Sequence, residues 1–269
     1  MIPIVIVHAG NSYYLKDTLT HAKKCSDRVV LLGDESNFGV IDGIEHFSLT
    51  SLRCPELDEF ENNFVNYSTN SEYIEKFCFS RVFYLRTWMK MSGTPTCVYI
   101  DSDVVLLDNV NNLFNGELAY LYTVGTFSAS IHTSCITIDF TNEFIQLCKD
   151  IYVNKTKHHL IEDKIRNHVE NNIPGGICDM TLHAILSRTL KVNNLNSFIN
   201  GESTFNDNIN DSYGPNGRNT FKMTGSLIEI TREGTRFYVY TNDGKKIRLN
   251  SIHFQGQAKN LIYPFIKSV

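Results

Sequence analysis

The sequence predicts an α/β protein built on a doubly wound, mostly parallel sheet, and three observations predict it. Short apolar runs alternate with helical patterns through the first half of the chain. Those runs are apolar at nearly every position, as in strands buried on both faces. A turn or an acidic residue closes each of them. Residues 4–7 form the first run, followed by a turn at Gly10-Asn11 and by Tyr14, Leu15, Leu19 and Ala22 at helical spacing up to Cys25. Residues 28–32 form the second, closed by Gly33-Asp34. The polar stretch 54–70 reads as irregular. Asn70 or Ser71 then caps a long helix with Tyr73, Ile74, Phe77, Val82, Leu85 and Trp88 among its apolar positions. Gly93-Thr94-Pro95 ends that helix, and residues 97–100 form the third strand. The second half is more mixed: 118–124 and 135–138 read as strands, 142–151 as a helix, and Asp179 as the cap of a helix through Leu186. Residues 227–231, 235–241 and 245–252 read as antiparallel strands, the last two joined by a hairpin turn at Asn242-Asp243-Gly244.

With 269 residues, no repeats and no convincing linker, the chain reads as a single domain, 1–269, with room for a large core. A net charge of −4 without a basic block argues against nucleic acid as the main ligand. Seven cysteines, an odd number with no C-x-x-C pair, point to buried thiols rather than a disulfide framework or a zinc site. No segment reaches the roughly 18 apolar residues of a membrane span, and the N-terminal run lacks the basic flank of a signal peptide. The expectation is a cytoplasmic protein, with contact at the inner face of the membrane left open.

In an open α/β sheet ligands bind beyond the carboxyl ends of the strands. Three stretches lie at such ends: His8-Ala9-Gly10-Asn11, Gly33-Asp34 and Asp101-Ser102-Asp103. The third places two carboxylates one residue apart on an extended chain, where their charges repel. With fifteen Asp in the chain, chance alone gives about one D-x-D, so the pattern is informative only through its position at a strand end. Two readings stand, an acidic solvated turn and a site for Mg²⁺ or Mn²⁺ that also takes phosphate oxygens. A second stretch, His253-Phe254-Gln255-Gly256-Gln257-Ala258-Lys259, follows a strand near the C-terminus. Its imidazole suits Mn²⁺, Gly256 permits close backbone approach, and Lys259 meets phosphate as a point charge. On its own, His253 also reads as a hydrogen-bonded histidine at a strand end.

Ser80-Arg81 on a helix, an apolar strand into Asp101-Ser102-Asp103, and a late H-x-x-G-x-x-K occur in that order. In this the chain resembles the GT-A glycosyltransferases, and especially the retaining glycogenin and bacterial lipopolysaccharide galactosyltransferase group. The resemblance implies Asp101, Asp103 and His253 as ligands of Mn²⁺ (or Mg²⁺), with Asp101 also facing the ribose. Lys259 would hold the donor diphosphate, and Arg81 would brace the acidic pair or touch the donor. Ser102 and Gly256 complete the two motifs on the donor side, and His8, Gly10 and Asn11 would line the nucleotide pocket. Asp103 and Asp179 are the catalytic candidates. Asp179 matches one acidic residue of the family's Asp-Gln-Asp-like stretch without its flanking Gln, and serves either as a base or as a contact to the sugar.

The implied reaction moves a hexose, with retention, from a nucleotide diphosphate sugar, expected to be UDP-linked, to a hydroxyl of a glycan. The implied setting is bacterial surface polysaccharide assembly, lipopolysaccharide O-antigen or capsule, with an oligosaccharide or lipid-linked glycan as acceptor. Two alternatives stand beside it. A sugar nucleotidyltransferase would carry a basic Gly-rich loop after the first strand, where this chain has His8-Ala9-Gly10-Asn11-Ser12. A non-catalytic nucleotide-sugar or glycan-binding module would not need Asp101, Asp103, His253 and Lys259 intact. Asn206-Asp207 reads as part of a solvated loop that could contact the donor sugar, and His158-His159 as a solvated helix face. Tyr263-Pro264-Phe265-Ile266 reads as a packed C-terminus. Neither a P-loop nor a G-x-S-x-G elbow occurs.

Overall fold

The computed structural model describes residues 1–268. Strands β1 (Ile4–His8), β2 (Val29–Gly33), β3 (Glu45–Ser48) and β4 (Thr96–Ile100) pair in parallel in the order β3-β2-β1-β4. After β4 the chain leaves this sheet, and β5 (Val104–Leu106) belongs to a second one. β6 (Ala119–Tyr122), β7 (Ala129–Thr137) and β8 (Asn193–Asn194) complete the first sheet as β4-β7-β6-β8, with β7 alone running against the others. The sheet is therefore mostly parallel, as the sequence predicts.

Helices cover both faces, and the strands show why. Successive side chains of a strand face opposite ways, so β1 sends Val5 and Val7 into one core and Ile4 and Ile6 into another. The first core takes Phe79, Val82, Phe83 and Trp88 of α3 (Glu72–Ser92) and Phe140 and Phe144 of α5 (Ile138–Cys148). The second takes Leu15, Leu19 and Ala22 of α1 (Leu15–Cys25). Ser71 caps α3 by accepting from Ile74 N at 3.3 Å, and Gly93, at φ 64°, closes it in the left-handed conformation.

The second sheet is smaller and antiparallel in its main path. It runs β12 (Ile230–Glu233), β13 (Arg236–Tyr240), β14 (Lys246–His253), β5, with β9 (Ser203–Phe205) pairing in parallel beside β14. A ribbon of β10 (Met223–Thr224) and β11 (Leu227–Ile228) lies alongside. Phe265 of α8 (Ile262–Ser268) packs on Phe237 and Phe254 at ring distances of 5.0 and 5.5 Å, so the C-terminal apolar residues are in part a packing element while Tyr263 stays exposed.

Several elements depart from the sequence reading. The stretch expected to be irregular contains α2 (Pro55–Asn63), which starts on Pro55 and buries Leu57 and Phe60 three residues apart. Nine residues with two apolar anchors give too weak a period to see. The short helix α4 (Val110–Leu113) and strand β3 also lie outside the reading, and β7 begins six residues earlier than expected because Ser130, His132 and Ser134 interrupt its apolar run. α6 (His159–Glu170) begins at the His158-His159 pair. α7 (Asp179–Leu186) is capped by Cys178, with Asp179 its first helical residue. Among the described residues no helix is long and apolar enough to cross a membrane.

Candidate active site

The three strand ends singled out from the sequence meet at one edge of the first sheet. Gly10, at φ 87°, turns the chain after β1 and donates its N–H to Asp34 Oδ2 at 2.6 Å. Asn37, fully buried, donates to both His8 O and Gly10 O at 3.0 Å, fixing the first strand end against the second. His8 Nδ1 lies 2.9 Å from Ser102 Oγ, which ties the first strand end to the acidic turn. The buried His8 Nε2 has no partner, and burial holds the ring pKa below its ordinary value. Asn11 is exposed beside them. A cleft of about 370 Å³ opens next to this edge, lined by Ala9 and Asp34 together with Phe77 and Tyr84 of α3.

The acidic turn is where the chain crosses from one sheet to the other. Asp101 N donates to His132 O of β7 at 2.8 Å, while Val104, one residue past the turn, pairs with His253 of β14. Phe254 N closes the crossing on Asp103 O at 2.9 Å. That register brings two motifs separated by 150 residues of chain onto one another. Asp103 Oδ1 lies 3.4 Å from His253 Nε2, and Asp103 Oδ2 lies 3.2 Å from Lys259 Nζ. Lys259 stands in the helical turn after Gly256, whose φ of 59° strains any other residue. Burial alone would raise the Asp103 carboxyl, but hydrogen bonding to His253 and the charges of His253 and Lys259 bring it down to about 2.

Arg81 organises the other carboxylate. Its side chain is 13% exposed, with Nη1 2.7 Å from Asp101 Oδ1 and 3.1 Å from Tyr99 OH, and Nη2 2.7 Å from Asp179 Oδ2. Tyr99 OH also donates to Asp101 Oδ1. Burial opposes a charged carboxyl at Asp179, yet the Arg81 charge and the neighbouring His183 hold its pKa far below the usual range. The inward turn of Asp179 explains why it does not cap its helix: Oδ2 is committed to Arg81, and Oδ1 accepts from Met180 N at 2.9 Å. Ser80, beside Arg81, donates to Lys76 O within α3 and does not reach the acidic turn.

His253 has a fixed tautomer. Its Nδ1 lies 2.6 Å from Asp207 O, and a carbonyl can only accept, so Nδ1 carries a proton. Burial lowers the ring's proton affinity, but Asp103 more than offsets it, and the His253 pKa is raised above its ordinary value. The Asp103 contact therefore favours the doubly protonated ring. One residue with no individual sequence signal supports this arrangement, as Tyr99 does for Asp101. His132 stacks on His253 with ring centres 4.1 Å apart, and its Nε2 lies 3.1 Å from Asp207 Oδ1. Nothing in the local pattern around His132 or Tyr99 distinguishes them from strand residues; only the three-dimensional register does.

The donor set offered to a divalent cation is thus Asp103 and His253 side by side, with the His253 Nδ1 proton directed away from the cation position. Such an outer hydrogen bond is what a metal-binding imidazole needs. Asp101 is held towards Arg81, and among the described residues no three His, Cys, Asp or Glu side chains converge as they stand. The pair fits Mn²⁺ or Mg²⁺ when phosphate oxygens supply further positions.

No protein-family model matches the chain, and no curated protein matches it significantly. Solved structures give distant likenesses. Mouse xyloside xylosyltransferase 1 aligns at 10% identity and TM-score 0.45, over 72% of this chain and 84% of its own. A glycosyltransferase that takes part in glycosylating the major capsid of PBCV-1 aligns at 9% identity and TM-score 0.39, over the full length of both chains. GlyE of Streptococcus pneumoniae aligns at 13% identity and TM-score 0.38, over 72% of this chain and 45% of its own. All three are glycosyltransferases. At these identities and scores the likenesses assign no function to this chain.

Proposed function

We propose that the protein is a metal-dependent glycosyltransferase that moves a hexose from a nucleotide diphosphate sugar to a hydroxyl of a glycan. The observation that carries this reading is the convergence at the acidic turn. Asp103 meets an imidazole and an ammonium from a distant motif, at the strand edge where α/β sheets bind nucleotides. Asp103 and His253 would hold Mn²⁺ or Mg²⁺, with Asp101 close by. When bound, the cation supplies charge to the diphosphate as it departs.

The chain's own residues supply the rest. Lys259, a third exposed and resting on Asp103, is free to turn to a phosphate oxygen. The cleft beside Asp34, with Phe77 and Tyr84 in its wall, suits a nucleobase, and we assign it to uracil. Gly10 and Asn11 would border the ribose, with Ser102 held by His8 behind them. Asp179 is a poor proton acceptor because Arg81 holds it ionised. We therefore assign Asp179 to orienting the sugar through Arg81 and favour retention, with the departing phosphate taking the acceptor proton on the same face. The acceptor we favour is an oligosaccharide or lipid-linked glycan of a bacterial surface polysaccharide, met at the cytoplasmic side of the membrane.

The test is release of nucleoside diphosphate from a panel of nucleotide sugars, with and without Mn²⁺, followed by NMR of the anomeric proton of any product. Slow metal-dependent hydrolysis of one donor and an α-linked product from an α-donor support the reading. No turnover of any donor removes the enzyme assignment. A β-linked product reverses the stereochemistry and returns Asp179 to the role of base.

A further inference from the structure

A second concave site lies at the opposite end of β14 from His253. β13 and β14 alternate strictly: Phe237, Val239, Ile247 and Leu249 are buried in the second sheet's core, while Arg236, Tyr238, Lys246 and Arg248 share the other face. Tyr238 pairs directly with Arg248, so the two strands bring three cations together, and Lys245 adds a fourth from the hairpin. These residues line a groove of about 550 Å³, closed on its far side by the 199–203 turn and by the end of α4. Glu202 is the one carboxylate in that lining.

The cations are not neutralised by their neighbours. Lys246 pairs with Glu233, but among the described residues Arg236, Lys245 and Arg248 have no carboxylate partner. Arg248 is held in place from below: Nη2 donates to Oδ1 of the buried Asn250 at 3.3 Å, and Asn250 Nδ2 donates to Ser203 Oγ at 3.2 Å. Like charges gathered on one sheet face repel, and here they do so in a chain whose net charge is −4. A concave site with one sign of charge concentrates the opposite ion. On β14 the lining ends at Asn250, three residues before His253 and roughly 10 Å along the strand, and none of Asp101, Asp103, His253 and Lys259 lines it, so it is separate from the acidic turn.

We propose that this groove is an anion site for a ligand carrying closely spaced phosphates, gripped by the Arg236 and Arg248 guanidinium groups. Two guanidinium forks fit phosphate oxygens in pairs, which a lone ammonium does not. The phosphates can belong to a soluble phosphorylated compound or to the headgroups of an anionic membrane, and the two sources separate experimentally.

The probe is inorganic pyrophosphate in metal-free buffer, titrated calorimetrically. Wild-type protein is expected to bind it, and Arg236→Gln/Arg248→Gln to lose at least about tenfold in affinity while melting as wild type does. Competition with vesicles of phosphatidylcholine containing about one quarter phosphatidylglycerol identifies the source. Displacement of pyrophosphate by the vesicles assigns the site to headgroups, and its persistence assigns the site to a soluble ligand. Either result upholds the anion site. Absence of pyrophosphate binding by wild type, or equal binding by the double variant, overturns it.

Discussion

Asp101 and Asp103 lie one residue apart, and the molecule neutralises them in opposite ways. On the Asp101 side the partner is Arg81, a buried guanidinium that never gives up its proton and is shared with Asp179. On the Asp103 side the partners are His253, whose second proton is exchangeable, and Lys259, a third exposed on a flexible stem. The first arrangement is a fixed strut between β4, α3 and α7. The second is a set of contacts that, on the function we propose, a cation and a phosphate would replace. The difference teaches that neighbouring carboxylates of one motif can be held unlike: Asp101 by a buried guanidinium, and Asp103 by an imidazole and a partly exposed ammonium.

The largest expected effect breaks the strut. Arg81→Met leaves the buried Asp179 and the partly exposed Asp101 without their shared cation, and removing the partner of a buried charge costs about 3–5 kcal/mol. Urea unfolding measures it, and adding Asp179→Asn to Arg81→Met should recover part of the loss. A cost below about 1 kcal/mol would mean that Arg81 is not structural.

On the other side, Asp103→Ala is expected to abolish metal-dependent donor binding with little loss of fold stability, since Lys259 reaches water and the buried His253 ring can become neutral. Melting curves and calorimetry on one sample separate the two. A variant that binds Mn²⁺ and donor as wild type does would remove Asp103 from the metal site.

His253→Ala and Lys259→Ala sharpen the division further. The first is expected to weaken Mn²⁺ and donor together. The second should weaken the donor by about tenfold, the loss of one charge-assisted contact, and leave Mn²⁺ alone. Equal, wild-type-like affinities in both would reduce the late motif to a strand end.

The smallest effect is a pH dependence with opposite signs. The His253 pKa lies above its ordinary 6.5 in the folded state. Its contact with Asp103 therefore stabilises the metal-free protein at low pH, and that contribution is lost as pH rises through the raised pKa. Mn²⁺ has to displace the same proton, so its affinity should climb over that window. Metal affinity that stays flat as pH rises from 6.5 through the raised pKa would contradict the assignment of His253 as a ligand.

What the sequence made legible follows from where its signals are local. Strands β1, β2 and β4 carry uninterrupted apolar runs and are placed correctly, as is the capped helix from Ser71 to Gly93, whereas β3, with the sequence Glu45-His46-Phe47-Ser48, carries no such run. The helix at Pro55 and the early part of β7 carry polar residues at the positions a period needs, and were not readable. In the candidate site, Asp101, Asp103, His253 and Lys259 stand out in the sequence because each belongs to a short motif, and the structure brings the two motifs together at Asp103. The Arg81–Asp179 contact and the His132 stack on His253 join residues 98 and 121 positions apart, through register that no local pattern encodes.

The most direct test of the central claim is the coupling between Mn²⁺ and a nucleotide sugar in calorimetric titration. If the exchangeable side of the acidic turn is a metal–diphosphate site, each ligand tightens the other in wild type, with UDP-hexoses foremost, and the coupling vanishes in Asp103→Ala. Donor affinity that is the same with and without Mn²⁺, or coupling that survives in Asp103→Ala, would contradict the account.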